Sequence, residues 1–170
     1  MMSQYIHQLR KRLITDLPYE IQVEDIAWQR RVIPLSRSSH VRGWHPVRPD
    51  HPPVPFESKI EARLISDLAS FPELVRIQAQ PVTVFYRYTG KGYRYTPDFL
   101  VTLSSVPHEL AALGFGLETF VEVKPLRHAV NSELKLSRQF NVLRQALQHQ
   151  VVLVTDWDLK LGLQEVMYDA

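Results

Sequence analysis

Two short apolar stretches carry charged residues of the kinds that do chemistry. Asp98 sits within Tyr95-Thr96-Pro97-Asp98-Phe99, and Glu122 and Lys124 sit within Val121-Glu122-Val123-Lys124-Pro125. Residues two apart on a strand share a face, so Glu122 and Lys124 project together. If the strands are neighbours, Asp98 meets them, and two carboxylates and an ammonium gather at one end of a sheet, with the Val123 carbonyl as a further oxygen. Divalent-metal phosphodiester hydrolysis needs those parts. Hard oxygens hold Mg²⁺, the ion polarises the phosphate and acidifies a water, and a lysine orients that water or steadies the developing negative charge. A D…E-x-K spacing alone arises by chance in many chains, and charges at strand ends are commonly just solvated. The apolar setting singles these out, because an unpaired carboxylate inside such a strand costs stability.

The elements that must position these groups follow from periodicity. Ile60, Leu64, Ile65 and Leu68 are spaced for a buried helix that starts near Pro55 and Ser58 and ends before Pro72. Residues Val82 to Tyr88 and Tyr93 to Leu103 are rich in β-branched and aromatic types, and Thr89-Gly90-Lys91-Gly92 between them reads as a hairpin turn. Ser104 to Leu117 is expected to be a loop or short helix, and Thr119 to Lys124 a third strand closed by Pro125. Leu136, Phe140, Leu143 and Leu147 trace one face of a helix, and Val151 to Val154 reads as a buried, parallel central strand. The predicted order is α-β-β-β-α-β, an α/β fold with a mixed sheet flanked by helices.

Ahead of this core, Ile6, Leu9, Leu13 and Leu17 outline an amphipathic helix expected to pack on the domain, and Glu20 to Leu35 has strand-like pieces. Ser36 to Pro55, with Gly43 and the prolines 46, 49, 52, 53 and 55, is expected to be an extended irregular arm. Between Asp25 and Asp50 no acidic residue occurs, while Arg30, Arg31, Arg37, Arg42 and Arg48 do, with His40, His45 and Trp44. Arginine forks suit phosphate and a tryptophan offers a stacking face, so this basic N-terminal arm is a candidate DNA contact, as is Arg127 after the last charged strand. His40, His45 and His51 are irregularly spaced and lack cysteine or carboxylate companions, which argues against a zinc site. The expected organisation is residues 1–55 as helix and arm and 56–170 as core.

Composition narrows the classes. The chain has 170 residues, 45% hydrophobic and 22% charged, which suits one compact folded domain. With no cysteine, disulfide frameworks, thiolate zinc and cysteine nucleophiles are excluded, the cytosol is the expected compartment, and any metal site must be built from oxygens, which points to Mg²⁺. No apolar run approaches the roughly 20 residues that span a bilayer, and the N-terminus lacks a signal-peptide core. The six glycines never adopt the G-x-x-x-x-G-K spacing of a nucleotide-binding loop, so ATP hydrolysis is not expected.

Glu61 on a helix, then Pro97-Asp98, then Glu122-Val123-Lys124, resembles the PD-(D/E)xK nucleases of the restriction-endonuclease-like fold. A closer resemblance is to the TnsA endonuclease subunits of heteromeric bacterial cut-and-paste transposases. It is carried by Phe56-Glu57-Ser58-Lys59-Ile60-Glu61, by Val75-Arg76-Ile77-Gln78-Ala79-Gln80-Pro81, and by the two stretches around Asp98 and Glu122. Ser36-Arg37-Ser38-Ser39-His40 looks like that family's arm and Val154-Thr155-Asp156 like its closing strand, so the likeness runs from about Arg30 to Asp158. The resemblance implies Glu61 as the helical acid, Asp98 and Glu122 as metal ligands with Val123 and Glu61 contributing, and Lys124 as the catalytic lysine. Glu57, one helical turn before Glu61, is the rival acid, and only the Ser-x-x-Glu register favours Glu61. Some members carry Gln where Glu122 stands, which implies that Glu122 matters less than Asp98. The implied reaction is hydrolysis at the 5′ ends of a transposon, with Mg²⁺ or Mn²⁺. Double-stranded transposon ends, an integrase-type transposase and an ATPase regulator are the implied partners. Members often carry a second, C-terminal helical domain that contacts the regulator, and this chain is expected to lack it. The alternatives are a free-standing restriction or repair nuclease and a non-catalytic DNA-binding module of the same fold.

Overall fold

Thr89 and Gly90 both take positive φ (51° and 76°), and Tyr88 pairs with Lys91 across them, so the turn is the two-residue kind whose twist suits a hairpin. In the computed structural model, which describes residues 1–15, 19–29, 42–160 and 162–163, this turn joins β5 (Val82–Tyr88) to β6 (Lys91–Tyr95). The second strand of the hairpin is shorter than the sequence suggests. It stops at Tyr95, and after Thr96-Pro97-Asp98 the chain enters β7 (Phe99–Leu103) in a different sheet. Pro97 has no N–H to continue the ladder, which physically ends the pairing with β5. Thr83 and Thr96 close the gap with a hydroxyl–hydroxyl bond of 2.6 Å. That switch of sheets delivers Asp98 to a sheet end.

The first sheet has the order β1-β5-β6, with β1 spanning Ile21–Trp28 antiparallel to β5. The second has the order β4-β7-β8-β9, formed by β4 (Leu74–Ala79), β7, β8 (Glu118–Lys124) and β9 (Gln150–Thr155). Its β4 and β8 each run antiparallel to β7 between them, whereas β8 and β9 run parallel in the register Glu122↔Leu153 and Lys124↔Thr155. A parallel pair requires a crossover, and α5 (Glu133–Leu147) supplies it after the short α4 (Leu126–Asn131). All five residues from Val151 to Thr155 are buried, so both faces of β9 are covered although it stands at the edge of the sheet and pairs only with β8 among the described residues. The mixed sheet agrees with the predicted α/β class, and β9 is buried and parallel as predicted, but it lies at the sheet edge and not at its centre, because α5 returns the chain to the outer side of β8.

Helices cover both faces of this sheet. On one side, Leu64, Ile65 and Leu68 of α2 (Lys59–Ala69) join Ile77, Val101, Val121, Val123, Val152 and Val154. On the other, Leu136, Phe140 and Leu143 of α5 join Phe120, Leu153 and the β5 residues Val82 and Val84. Ile6, Leu9 and Leu13 of α1 (Met2–Leu13) are fully or almost fully buried in that second cluster, so the predicted amphipathic helix packs on the core. The Ser104 to Leu117 stretch holds a short helix, α3 (His108–Leu113), ended by Gly114 at φ 104°. A five-residue α6 (Asp156–Lys160) follows β9. Among the described residues no helix is long and apolar enough to cross a membrane.

The arm differs most from expectation. Its 36–41 part lies outside the described residues, but from Arg42 onward it is folded against the sheet. β2 (Gly43–His45) pairs with β3 (Val54–Phe56), and Val54 is buried in the α2-side cluster. Arg48 turns inward and donates to the Phe71 and Leu74 carbonyls, while His51 Nε2 accepts the Ile77 N–H at 3.1 Å. Of the arm's prolines, Pro49 lies in a turn closed by the His51 N–H on the Arg48 carbonyl at 3.1 Å, so the segment is not extended throughout. Side chains between the prolines satisfy the ends and edges of neighbouring elements, so the segment docks.

Candidate active site

The Glu61 carboxylate is positioned by the way α2 begins. Ser58 is extended, and its hydroxyl accepts the Glu61 N–H at 3.1 Å. Glu61 reaches back in turn, its Oε2 accepting the Glu57 N–H at 2.7 Å. This reciprocal arrangement is a capping box displaced by one residue, and it turns the Glu61 carboxylate toward the sheet end. Glu61 and Glu57 line one small cleft with Gln80, Asp98 and Phe99. Burial raises the Glu61 pKa from 4.5 to about 7, with the Glu57 amide opposing, the Glu57 and Glu122 charges adding to the rise, and Arg42 opposing. Glu57 instead pairs with Arg42 at 3.5 Å. Of the two glutamates it is Glu61 whose charge bears on Asp98.

Asp98 extends a ladder that has run out. The β7–β8 pairing ends at Phe99↔Val121, and the Asp98 Oδ2 takes the Val123 N–H at 2.7 Å where a backbone carbonyl would otherwise stand. The Asp98 carbonyl accepts from the Gln80 N–H at 2.8 Å, and Gln80 adopts a left-handed φ of 44° to make that contact. Burial holds the Asp98 pKa well above the ordinary carboxylate range, with the charges of Glu122 and Glu61 adding to the rise and the Val123 N–H and Lys124 opposing it.

Glu122 is 7% exposed, and its two oxygens are held separately. Oε2 accepts the Tyr95 hydroxyl at 2.6 Å, and Oε1 faces the Lys124 ammonium at 3.5 Å. Burial raises its pKa, while Tyr95, Lys124 and Lys135 on α5 restrain the rise. Tyr95 is pushed up by its own burial and by the Glu122 charge, so it stays a proton donor in this pair. Glu61, Asp98 and Glu122 thus lie near enough to feel one another's charge, and the Lys124 ammonium stands beside Glu122.

The donor chemistry fits a hard divalent cation. Asp98 and Glu61 each engage one oxygen in a backbone bond, and no hydrogen bond among the described residues uses the other. Among the described residues no three His, Cys, Asp or Glu side chains form a ready-made metal cage. Mg²⁺ keeps several waters and commonly takes only one or two carboxylates, so Asp98 would be the first to hold it, with Glu61, Glu122 and the Val123 carbonyl as further oxygens. When bound, such an ion supplies charge neutralisation and an acidified water.

These raised pKa values have a consequence for stability. A carboxyl whose folded pKa exceeds its unfolded one contributes stability that is full below the unfolded value and is lost as pH rises through the folded value. For Glu61 that window runs from about 4.5 to about 7, and Asp98 and Glu122 shift in the same direction. Metal-free protein should therefore melt lower at pH 8 than at pH 5.5. Millimolar Mg²⁺ should raise the melting temperature at pH 8 and leave it little changed at pH 5.5. Calorimetry with and without chelator checks this, and a flat profile would contradict it.

The candidate DNA contacts divide. Trp44 on β2 and Arg127 at the start of α4 are exposed. Arg48 is engaged with backbone carbonyls, which corrects its place in an exposed basic patch, and Arg42 is half-buried against Glu57. Arg30, Arg31, Arg37 and His40 lie outside the described residues. His45 and His51 each bond the carbonyl of the proline that follows, and do not converge. Two residues escaped the sequence reading. Tyr95 comes from the first sheet to hold a residue of the second, and Gln80 lines the cleft from a tight β4–β5 connection. Neither shows a periodic signal, although Tyr95 lies only three residues before Asp98.

No protein-family model matches the chain, and no curated protein matches it.

Proposed function

We propose that this protein is a metal-dependent DNA endonuclease of the restriction-endonuclease-like fold, acting as the TnsA-like subunit of a bacterial transposase. The observation that supports this reading is the meeting of Glu61, Asp98, Glu122 and Lys124 at one end of a mixed sheet, in the order the resemblance requires. Lys124, with its side chain 34% exposed, has the reach to orient a water or meet a phosphate oxygen. Glu122, held by Tyr95, keeps that ammonium in place. Asp98 and Glu122 hold Mg²⁺, or Mn²⁺ in its stead, against a backbone phosphate of duplex DNA. The site hydrolyses phosphodiester bonds at the 5′ ends of a transposon in the bacterial cytoplasm, an integrase-type transposase joins the other strands, and an ATPase regulator selects the target.

The test is strand cleavage of transposon-end duplex in Mg²⁺ or in chelator, with the integrase-type partner present. Lys124→Ala should lower cleavage by at least about 100-fold, the scale on which one aimed charge stabilises a transition state, with DNA binding kept. Undiminished cleavage by that variant would overturn the reading. Efficient cutting without any partner would select a free-standing nuclease. Salt-sensitive DNA binding with no cleavage would select a binding module.

A further inference from the structure

A groove of about 490 Å³ lies beside the carboxylate cleft and shares the walls Pro55 and Ala79 with it. Its floor is β4, one of the two edge strands of the four-stranded sheet, and one wall is the segment from β2 to β3. Trp44 and Val75 line it and remain 41% and 55% exposed, unusually open for such apolar side chains.

An added β-strand is not what this groove suits. His51 already takes the Ile77 N–H on the outer edge of β4, and the prolines of the facing wall have no N–H to offer. What remains is an exposed aromatic side chain, the apolar Val75, Ile77 and Ala79 of the floor, and the polar side chains Arg76, Gln78 and Asp50 lining the same space. A planar ring with hydrogen-bonding edges satisfies all of these at once. We propose that the groove binds an unpaired nucleobase of the DNA strand whose phosphate lies at the mouth of the carboxylate cleft, stacked on Trp44 with its edge facing Gln78 and Asp50. The proposal rests on the nuclease reading, since the shared walls lead a strand from one cavity into the other. It makes the preferred substrate a duplex with unpaired nucleotides next to the cut.

Fluorescence anisotropy in chelator, comparing blunt duplex with the same duplex bearing a short thymine extension at its 5′ or 3′ end, tests it. One base stacked on an aromatic side chain is worth about 1–3 kcal/mol, so the parent should prefer an extended duplex by roughly 5- to 150-fold. Trp44→Ala and Val75→Glu, which alter opposite sides of the groove, should each abolish the preference, and Trp44→Phe should retain most of it. Equal binding of both DNAs by the parent, or a preference that survives both Trp44→Ala and Val75→Glu, overturns the proposal. Parallel cleavage assays separate the two readings. Lys124-dependent cutting without a preference removes the groove proposal alone. A Trp44-dependent preference without Lys124-dependent cutting removes the nuclease reading, and with it the assignment of the base to a cleaved strand.

Discussion

An Asp98→Asn variant should lose strand cleavage by at least roughly a thousandfold and, in metal-free buffer at pH 8, melt higher than the parent. The two effects share one cause. Asparagine has nearly the same shape, and its carbonyl oxygen can still accept the Val123 N–H that Asp98 accepts at 2.7 Å, so the end of the β7–β8 ladder is preserved. The substitution removes the charge that burial, Glu122 and Glu61 all disfavour. Relief of that repulsion should stabilise the fold by about 1–3 kcal/mol. For a chain of this size, about 2–4 °C per kcal/mol applies. The lost charge is also what a divalent ion and a developing transition state require, so activity and stability move in opposite directions. Calorimetry and a cleavage assay on one preparation check both signs, and a variant that melts lower would show that the Asp98 charge is well accommodated.

Asp158→Ala should be the most destabilising single change outside the site, by about 3–5 kcal/mol. Asp158 is 5% exposed, and its Oδ2 accepts from the Thr155 N–H at 2.7 Å, from the Thr155 hydroxyl at 3.0 Å and from the Arg10 guanidinium. Arg10, only 12% exposed, also donates through Nε to the Leu153 carbonyl at 2.9 Å. This pair therefore fastens α1 to the end of β9. Without Asp158 the arginine is left as a buried charge with no counter-charge, which costs far more than the pair contributes. An Arg10→Met, Asp158→Ala double variant should recover a large part of the loss, because it removes the stranded charge together with its partner. Urea denaturation measures both, and a single variant within about 1 kcal/mol of the parent would show that the pair does not anchor α1.

How much of this was legible in the sequence depended on how local the cause is. The α2 start follows from Ser58 and Glu61 three residues apart, and the hairpin turn from Thr89-Gly90, so both could be read from neighbouring residues. The buried parallel strand β9 announced itself as an unbroken apolar run. The division of Tyr93 to Leu103 between two sheets was not legible, because apolar alternation continues through it and only Pro97 marks the break. The docking of residues 42–56 was hidden for the opposite reason. Proline and arginine content suggests an exposed arm, yet Arg48 and His51 bond to backbone groups that only the folded β4 region presents. At the site, Asp98, Glu122 and Lys124 could be named from spacing. That Tyr95 holds Glu122 depends on the packing of one sheet against the other, which no local pattern records.

The break at Thr96-Pro97-Asp98 makes the candidate site a sensor of its own assembly. Tyr95 ends a strand of one sheet, Glu122 belongs to the other, and the three residues between β6 and β7 set how they meet. A nascent chain with only its first hairpin formed has Tyr95 but no Glu122 to hold. Chain synthesised as far as β7 carries Asp98 without the Val123 N–H that orients it. The constellation is complete only after β8 is added, so neither the hairpin nor β7 forms it alone.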